Sequence, residues 1–260
     1  MTYCVSAVLD QGLVFLSDSR TNAGMDQIST YRKMTVFERA GDRVVVLLTS
    51  GNLSISQNVI EILSHGPLSD RMWSASSMAD ISVVVGEALR QLNQRDQMAL
   101  NGFGLEFNCS FLVGGQIRGE RCRLFNVYTA GNFIETSPES HYFQLGESKY
   151  GKPVLDRVLK PETSLDDATK CLLISMDSTL KSNLSVGLPL DLLVYETDAL
   201  AVSRVAKINE GNAYFEGIRS RWGKLLQDAF HDLPDPDWQS IASDKSKSVF
   251  FASMFHQEQQ

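Results

Sequence analysis

Thr2 follows the initiator methionine, and a residue this small permits removal of Met1. The chain would then begin with a hydroxyl and a free α-amine on one residue. An α-amine titrates near pH ~7.7–8, so at neutral pH it can accept the hydroxyl proton. Nucleophile and base would come from a single side chain and its own backbone nitrogen. Three charges sit close by in sequence at the ends of apolar runs: Asp18, Arg20 and Lys33. A lysine beside the Thr2 hydroxyl favours the alkoxide, and a carboxylate beside that lysine keeps it charged and oriented. Taken without context, the same three residues read equally well as solvated loop charges. No GxGxxG, GxxxxGK[ST], HExxH or GxSxG pattern occurs, so the common nucleotide, zinc and serine-hydrolase signatures are absent.

The elements that would position these residues follow from periodicity. Residues 3–17 read as a hairpin around Asp10-Gln11-Gly12, and a Ser-, Asn-, Gly- and Asp-rich loop covers 17–30. Met34–Glu38 and Val44–Thr49 form a second pair around Ala40-Gly41-Asp42. Ile55, Val59, Ile60 and Leu63 share a helical face, which His65-Gly66-Pro67 ends. A longer helix fits Ser77–Gln97. Strands return at Leu105–Gly114, Cys122–Thr129 and His141–Leu145. Helices fit Lys149–Leu159 and Ser164–Leu180, a hairpin joins Asp191–Tyr195 to Ala199–Val205, and a helix fits 211–229. Clustering by type predicts an α+β fold with antiparallel sheets. The Pro- and Asp-rich stretch at 231–239 separates a body, residues 1–229, from a tail, 230–260. The tail's apolar SKSVFFASMF (245–254) suits either its own body or a neighbouring subunit, as an intersubunit arm.

Composition narrows the partners. Lys plus Arg is 24 against 31 Asp plus Glu, a net charge of −7, which excludes nucleic acid or an anionic membrane as the main partner. Length and a hydrophobic content of 43% suit a protein with a sizeable core. Cys4, Cys109, Cys122 and Cys171 are scattered, without CxxC pairs or metal-ligand spacing to a histidine, so no metal or cofactor is expected. No apolar run reaches the ~20 residues of a membrane span, and the N-terminus lacks a secretory pattern. A cytoplasmic protein is expected.

An N-terminal threonine, a first hairpin, D-S-R-x-x-x-G, a lysine about thirty residues in and S-G before a helix together resemble the proteasome β-subunit family of N-terminal-nucleophile hydrolases. SDSRTNAGMDQISTYRKMTVF (17–37) and MDSTLKSNLSVGLPLDLLVY (176–195) are more particularly similar to the bacterial Anbu branch. The resemblance implies a four-layer αββα sandwich of two antiparallel sheets between helix layers. It implies Thr2 as nucleophile and base, Asp18 and Lys33 as the activating pair, and Arg20 as support for Asp18. Gly51 would lend its N–H to an oxyanion hole, where glycine lets the backbone approach the substrate carbonyl. In SNLSVG (182–187), Ser185 matches a family serine, while Ser182 stands where an aspartate holding the amine is usual. A further serine position falls on Ser148 or Glu147. The implied activity is that of a threonine-type peptidase on peptide or amide substrates in a homo-oligomeric ring or open spiral. The Ser182 departure leaves room for acyl transfer or amide formation, and the apolar tail for a non-catalytic scaffold. No sequence feature identifies an unfoldase ATPase partner, although related enzymes use one.

Overall fold

A computed structural model of the chain describes residues 2–22, 28–202 and 204–241. Twelve strands and seven helices are described. One five-stranded antiparallel sheet has the order β10-β1-β2-β11-β12, built from Tyr142–Gly146, Tyr3–Leu9, Gly12–Asp18, Leu190–Glu196 and Arg204–Ile208. The other runs β5-β6-β7-β8-β9, from Met34–Arg39, Arg43–Gly51, Cys109–Ile117, Arg123–Val127 and Phe133–Glu135. A short ladder pairs β3 (Arg20–Asn22) with β4 (Ile28–Thr30).

Strand alternation makes the layers. In β6 the run Val44–Leu48 is wholly buried. Val45 and Leu47 face the core shared with helices α1 (Leu53–Ser64), α2 (Pro67–Ser74) and α3 (Met78–Gly102). Val44, Val46 and Leu48 face a second core that also holds Cys4, Leu13, Phe15 and Leu193 of the other sheet. A third core packs Val5, Val14, Leu16 and Leu192 against helices α4 (Ser148–Val158) and α5 (Leu165–Ser182). Helix, sheet, sheet, helix is therefore the stacking order, the expected four-layer sandwich. A period of two lets each central strand serve two cores, which is why β6 reads as an unbroken apolar run.

Several boundaries differ from the sequence reading. Pro67 does end α1, but it also opens α2, where a first-turn proline costs no hydrogen bond. The loop at 17–30 contains the β3–β4 ladder. β12 starts at Arg204 rather than Ala199, because Asp198 and Leu200 adopt left-handed backbone in the turn that precedes it. β9 carried too short an apolar pattern to be read.

The chain divides into two compact units, residues 1–219 and 220–260, and helix α6 (Ala213–Asp232) runs across the division. The second unit's described part continues into α7 (Trp238–Ile241) and exposes Leu225, Leu226, Phe230 and Trp238. The apolar tail segment 245–254 lies outside the described residues. Among the described residues no helix is long and apolar enough to cross a membrane, and no cluster of side chains suits a metal ion.

Candidate active site

The start of β1, the end of β2, the entry to β5 and the end of β6 meet at one end of the sandwich. Antiparallel pairing brings the first two together, since Cys4 lies opposite Ser17. It brings the other two together as well, since Met34 lies opposite Leu48 and Thr49 N–H donates to the Lys33 carbonyl at 3.0 Å. Between the sheets, the Cys4 thiol reaches the Thr49 carbonyl at 3.5 Å. Register within each sheet and the contact between the sheets thus bring the strand ends that carry Thr2, Asp18, Lys33 and Gly51 to the same end of the sandwich.

Asp18 is the centre of this end. It is fully buried, and its Oδ1 accepts from Lys33 Nζ at 2.6 Å and from Tyr3 N–H at 3.0 Å. Its Oδ2 accepts from Gly187 N–H at 3.3 Å. Lys33 is buried too, and its ammonium also donates to the Arg20 carbonyl at 2.6 Å. Burial raises the Asp18 carboxyl above its ordinary range, and Lys33 with the two backbone donors draws it back. Two charges removed from water persist only when paired and hydrogen-bonded in this way.

Thr2 is tied down next to this pair. Its following residue donates to Asp18, and its carbonyl accepts from Glu147 N–H at 2.8 Å. Gly146 passes so close that a Cβ there would lie 1.8 Å from the Thr2 carbonyl oxygen. Its φ of +79° is likewise one that side-chain-bearing residues seldom adopt. Beneath Thr2, the Tyr3 hydroxyl bonds the Ser175 hydroxyl at 2.6 Å and accepts from Gln144 at 2.6 Å. Gly51 has φ +105°, and a Cβ on it would meet the Asn108 carbonyl at 2.3 Å. Asn52, immediately after it, caps α1 by accepting from Ser54 and Ile55 N–H.

Arg20 supports Asp18 indirectly. Its guanidinium donates to the Leu184 carbonyl at 2.6 Å and lies against Gly187, where a Cβ would collide with it. It therefore holds the 184–187 loop whose Gly187 N–H reaches Asp18. Ser185 sits on that loop, but its hydroxyl turns to the Asn183 side chain. Ser182 is the exposed last residue of α5 and makes no hydrogen bond to Asp18 or Lys33. At the 147–148 alternative, Glu147 reaches Thr2 through its backbone N–H, while Ser148 accepts from Gln144 through its carbonyl. Met1 lies outside the described residues.

Tyr3, Gln144, Gly146, Ser175 and Gly187 were missed by sequence reasoning. Each is an ordinary strand, helix or loop residue until the register is known. Only Gly146, at the end of an apolar strand, carried a signal.

Paired sheets between helical layers, with a buried Lys–Asp pair beside the second residue, place the chain among the N-terminal-nucleophile-type sandwiches. A structure titled Anbu (ancestral beta-subunit) from Yersinia bercovieri is 45% identical, with a TM-score of 0.83 over 90% of this chain and 98% of that one. The helical assembly of the Anbu complex from Pseudomonas aeruginosa gives the same identity, TM-score and coverage. Anbu from Hyphomicrobium sp. strain MC1 is 42% identical, with a TM-score of 0.82 over 91% of this chain and all of that one. No protein-family model and no curated protein matches the chain. The chain belongs to the proteasome-related Anbu family.

Proposed function

We propose that the protein is an N-terminal threonine amidohydrolase acting on peptide or amide bonds, as a homo-oligomer in the cytoplasm. The observation that carries this reading is the buried Asp18–Lys33 pair, bonded through Tyr3 N–H to the residue that follows Thr2. After Met1 is removed, Thr2 Oγ1 attacks the substrate carbonyl and the α-amine takes its proton. Lys33 favours the developing alkoxide, and the tetrahedral oxyanion is held by Gly51 N–H. The C–N bond then breaks, the α-ammonium returns the proton to the leaving amine, and water hydrolyses the ester by the same route. Glycine at position 51 fits the role, because no side chain can occupy the space its backbone takes. The helical assembly of the Pseudomonas aeruginosa relative supports self-assembly of this chain. Four buried free cysteines suit a reducing compartment.

Peptide-amide hydrolysis by wild type and by Thr2→Ala, with assembly followed by sedimentation, tests the reading. Loss of hydrolysis with unchanged assembly is expected. Equal hydrolysis by both would overturn it, and absence of hydrolysis in wild type would favour a scaffold.

A further inference from the structure

One row of side chains crosses the first sheet just inside the Thr2 end. Leu145, Cys4, Ser17, Asp191 and Lys207 lie directly opposite one another in register, from β10 to β12. Cys4 and Leu145 belong to the core between the sheets, as does Leu193, so alternation turns Ser17 and Asp191 to that same inner face. Two polar atoms in this row lack partners. Ser17 is fully buried and its hydroxyl has no hydrogen bond among the described residues. Asp191 is half-buried, and its Oδ2 is shut off from solvent, also without a hydrogen bond among the described residues. Directly opposed side chains of this kind sit ~4.5–5.5 Å apart at Cβ, close enough for one ligand group to touch both.

This pair of orphaned acceptors adjoins the proposed catalytic end. Leu190, the residue before Asp191, lies opposite Asp18 itself. Asp18, Lys33 and Asp191 all act on the Cys4 thiol, which places them in one electrostatic neighbourhood. Two inter-strand spacings, with β2 between, put Asp191 ~10 Å from β1, a span that a lysine or arginine side chain on a substrate held at Thr2 can bridge. Burial raises the Asp191 carboxyl, while the charges of Arg32 and of Lys207, its directly opposed neighbour on β12, lower it without a hydrogen bond to it. Both cations are exposed, so solvent weakens their hold on a half-buried carboxylate.

An unsatisfied carboxylate oxygen beside an unsatisfied hydroxyl needs a donor, preferably a charged one. We infer that Asp191 and Ser17 form a subsite for a cationic substrate group, a lysine or arginine side chain, next to the Thr2 nucleophile. This rests on the proposed role of Thr2. Arg32 and Lys207 both act on the same carboxylate when the subsite is empty.

The test uses the full-length assembled protein and two electrophilic peptides that differ only in lysine or norleucine beside the electrophile. Labelling rates are read by intact mass. Wild type should react with the lysine probe about tenfold or more faster, the scale of one charge-assisted hydrogen bond. Asp191→Asn should slow only the lysine probe and level the two rates. Arg32→Ala should widen the preference, and it decides the matter if Asp191→Asn does not fold. Equal rates in wild type, a preference that survives in folded Asp191→Asn, or a narrowed preference in Arg32→Ala would each overturn the subsite. Labelling by neither probe would instead overturn the nucleophile assignment beneath it.

Discussion

The two ends of the sandwich each hold a buried polar centre, and they are built to opposite rules. At the Thr2 end, Asp18 and Lys33 form a charged pair at 2.6 Å, and Ser17 and Asp191 beside it keep atoms without a partner among the described residues. At the far end, Gln116 is neutral, fully buried and bonded at both side-chain atoms. Its amide nitrogen donates to the Glu120 carbonyl and Asp198 Oδ1, each at 2.7 Å. Its oxygen accepts from the Tyr195 hydroxyl at 2.7 Å and from Asp198 N–H at 2.8 Å. A network closed around a neutral amide, with one exposed carboxylate at its edge, fixes a turn and leaves neither Gln116 atom free for a ligand. A charged pair with open neighbours is an expensive arrangement for stability alone, and it is the kind retained where chemistry is done.

Breaking each centre should separate these roles. Lys33→Met should be the largest effect, ~3–5 kcal/mol of lost stability, because it leaves the Asp18 carboxyl buried without its cation. The double variant Asp18→Leu/Lys33→Met should unfold at higher denaturant than Lys33→Met alone, and neither should acylate. Equal midpoints would mean that the two charges are not coupled. Gln116→Leu should cost ~2–4 kcal/mol by stranding the Tyr195 hydroxyl and Asp198 N–H. Its folded fraction should label at Thr2 at the wild-type rate; a lost reaction would erase the contrast between the two ends. Gly51→Ala should cost ~1–3 kcal/mol through its left-handed backbone and the Asn108 carbonyl, and should slow acylation more than it lowers stability. Ser182→Ala, at an exposed helix end, should stay within ~0.5 kcal/mol in a denaturation midpoint. The smallest signal concerns the cysteines. Burial pushes the Cys109 and Cys171 thiols up to about 12, so iodoacetamide at pH 7.5 should leave both unmodified in the native protein.

Much of this was legible in residue order, for identifiable reasons. Strand alternation and the clustering of strands and helices disclosed the layers, because each element carries its own period. Thr2 stood out as the residue after Met1, and Asp18, Arg20 and Lys33 as charges beside apolar strands, whereas Gly51 and the roles of the set were implied only by the family resemblance. The supporting contacts could not be read that way. Tyr3 bonds Ser175 across 172 positions, and Gly187 reaches Asp18 across 169. Such pairs depend on how helix α5 and the 184–187 loop lie on the first sheet, which no local pattern encodes. Ser182 was placed near the amine by motif position alone, whereas the structure puts it on the exposed end of α5. Asp191 looked like any strand-end carboxylate until the register set it opposite Ser17.

Catalysis as proposed requires that Thr2 become the first residue and act as the nucleophile. The intact mass of natively expressed protein, before and after an electrophilic peptide, tests it most directly. The expected result is a mass without Met1, then one adduct per chain, mapped to Thr2 and formed faster as pH rises through the ~7.7–8 range of an α-amine. Retained Met1, or an adduct at any other residue, would contradict it.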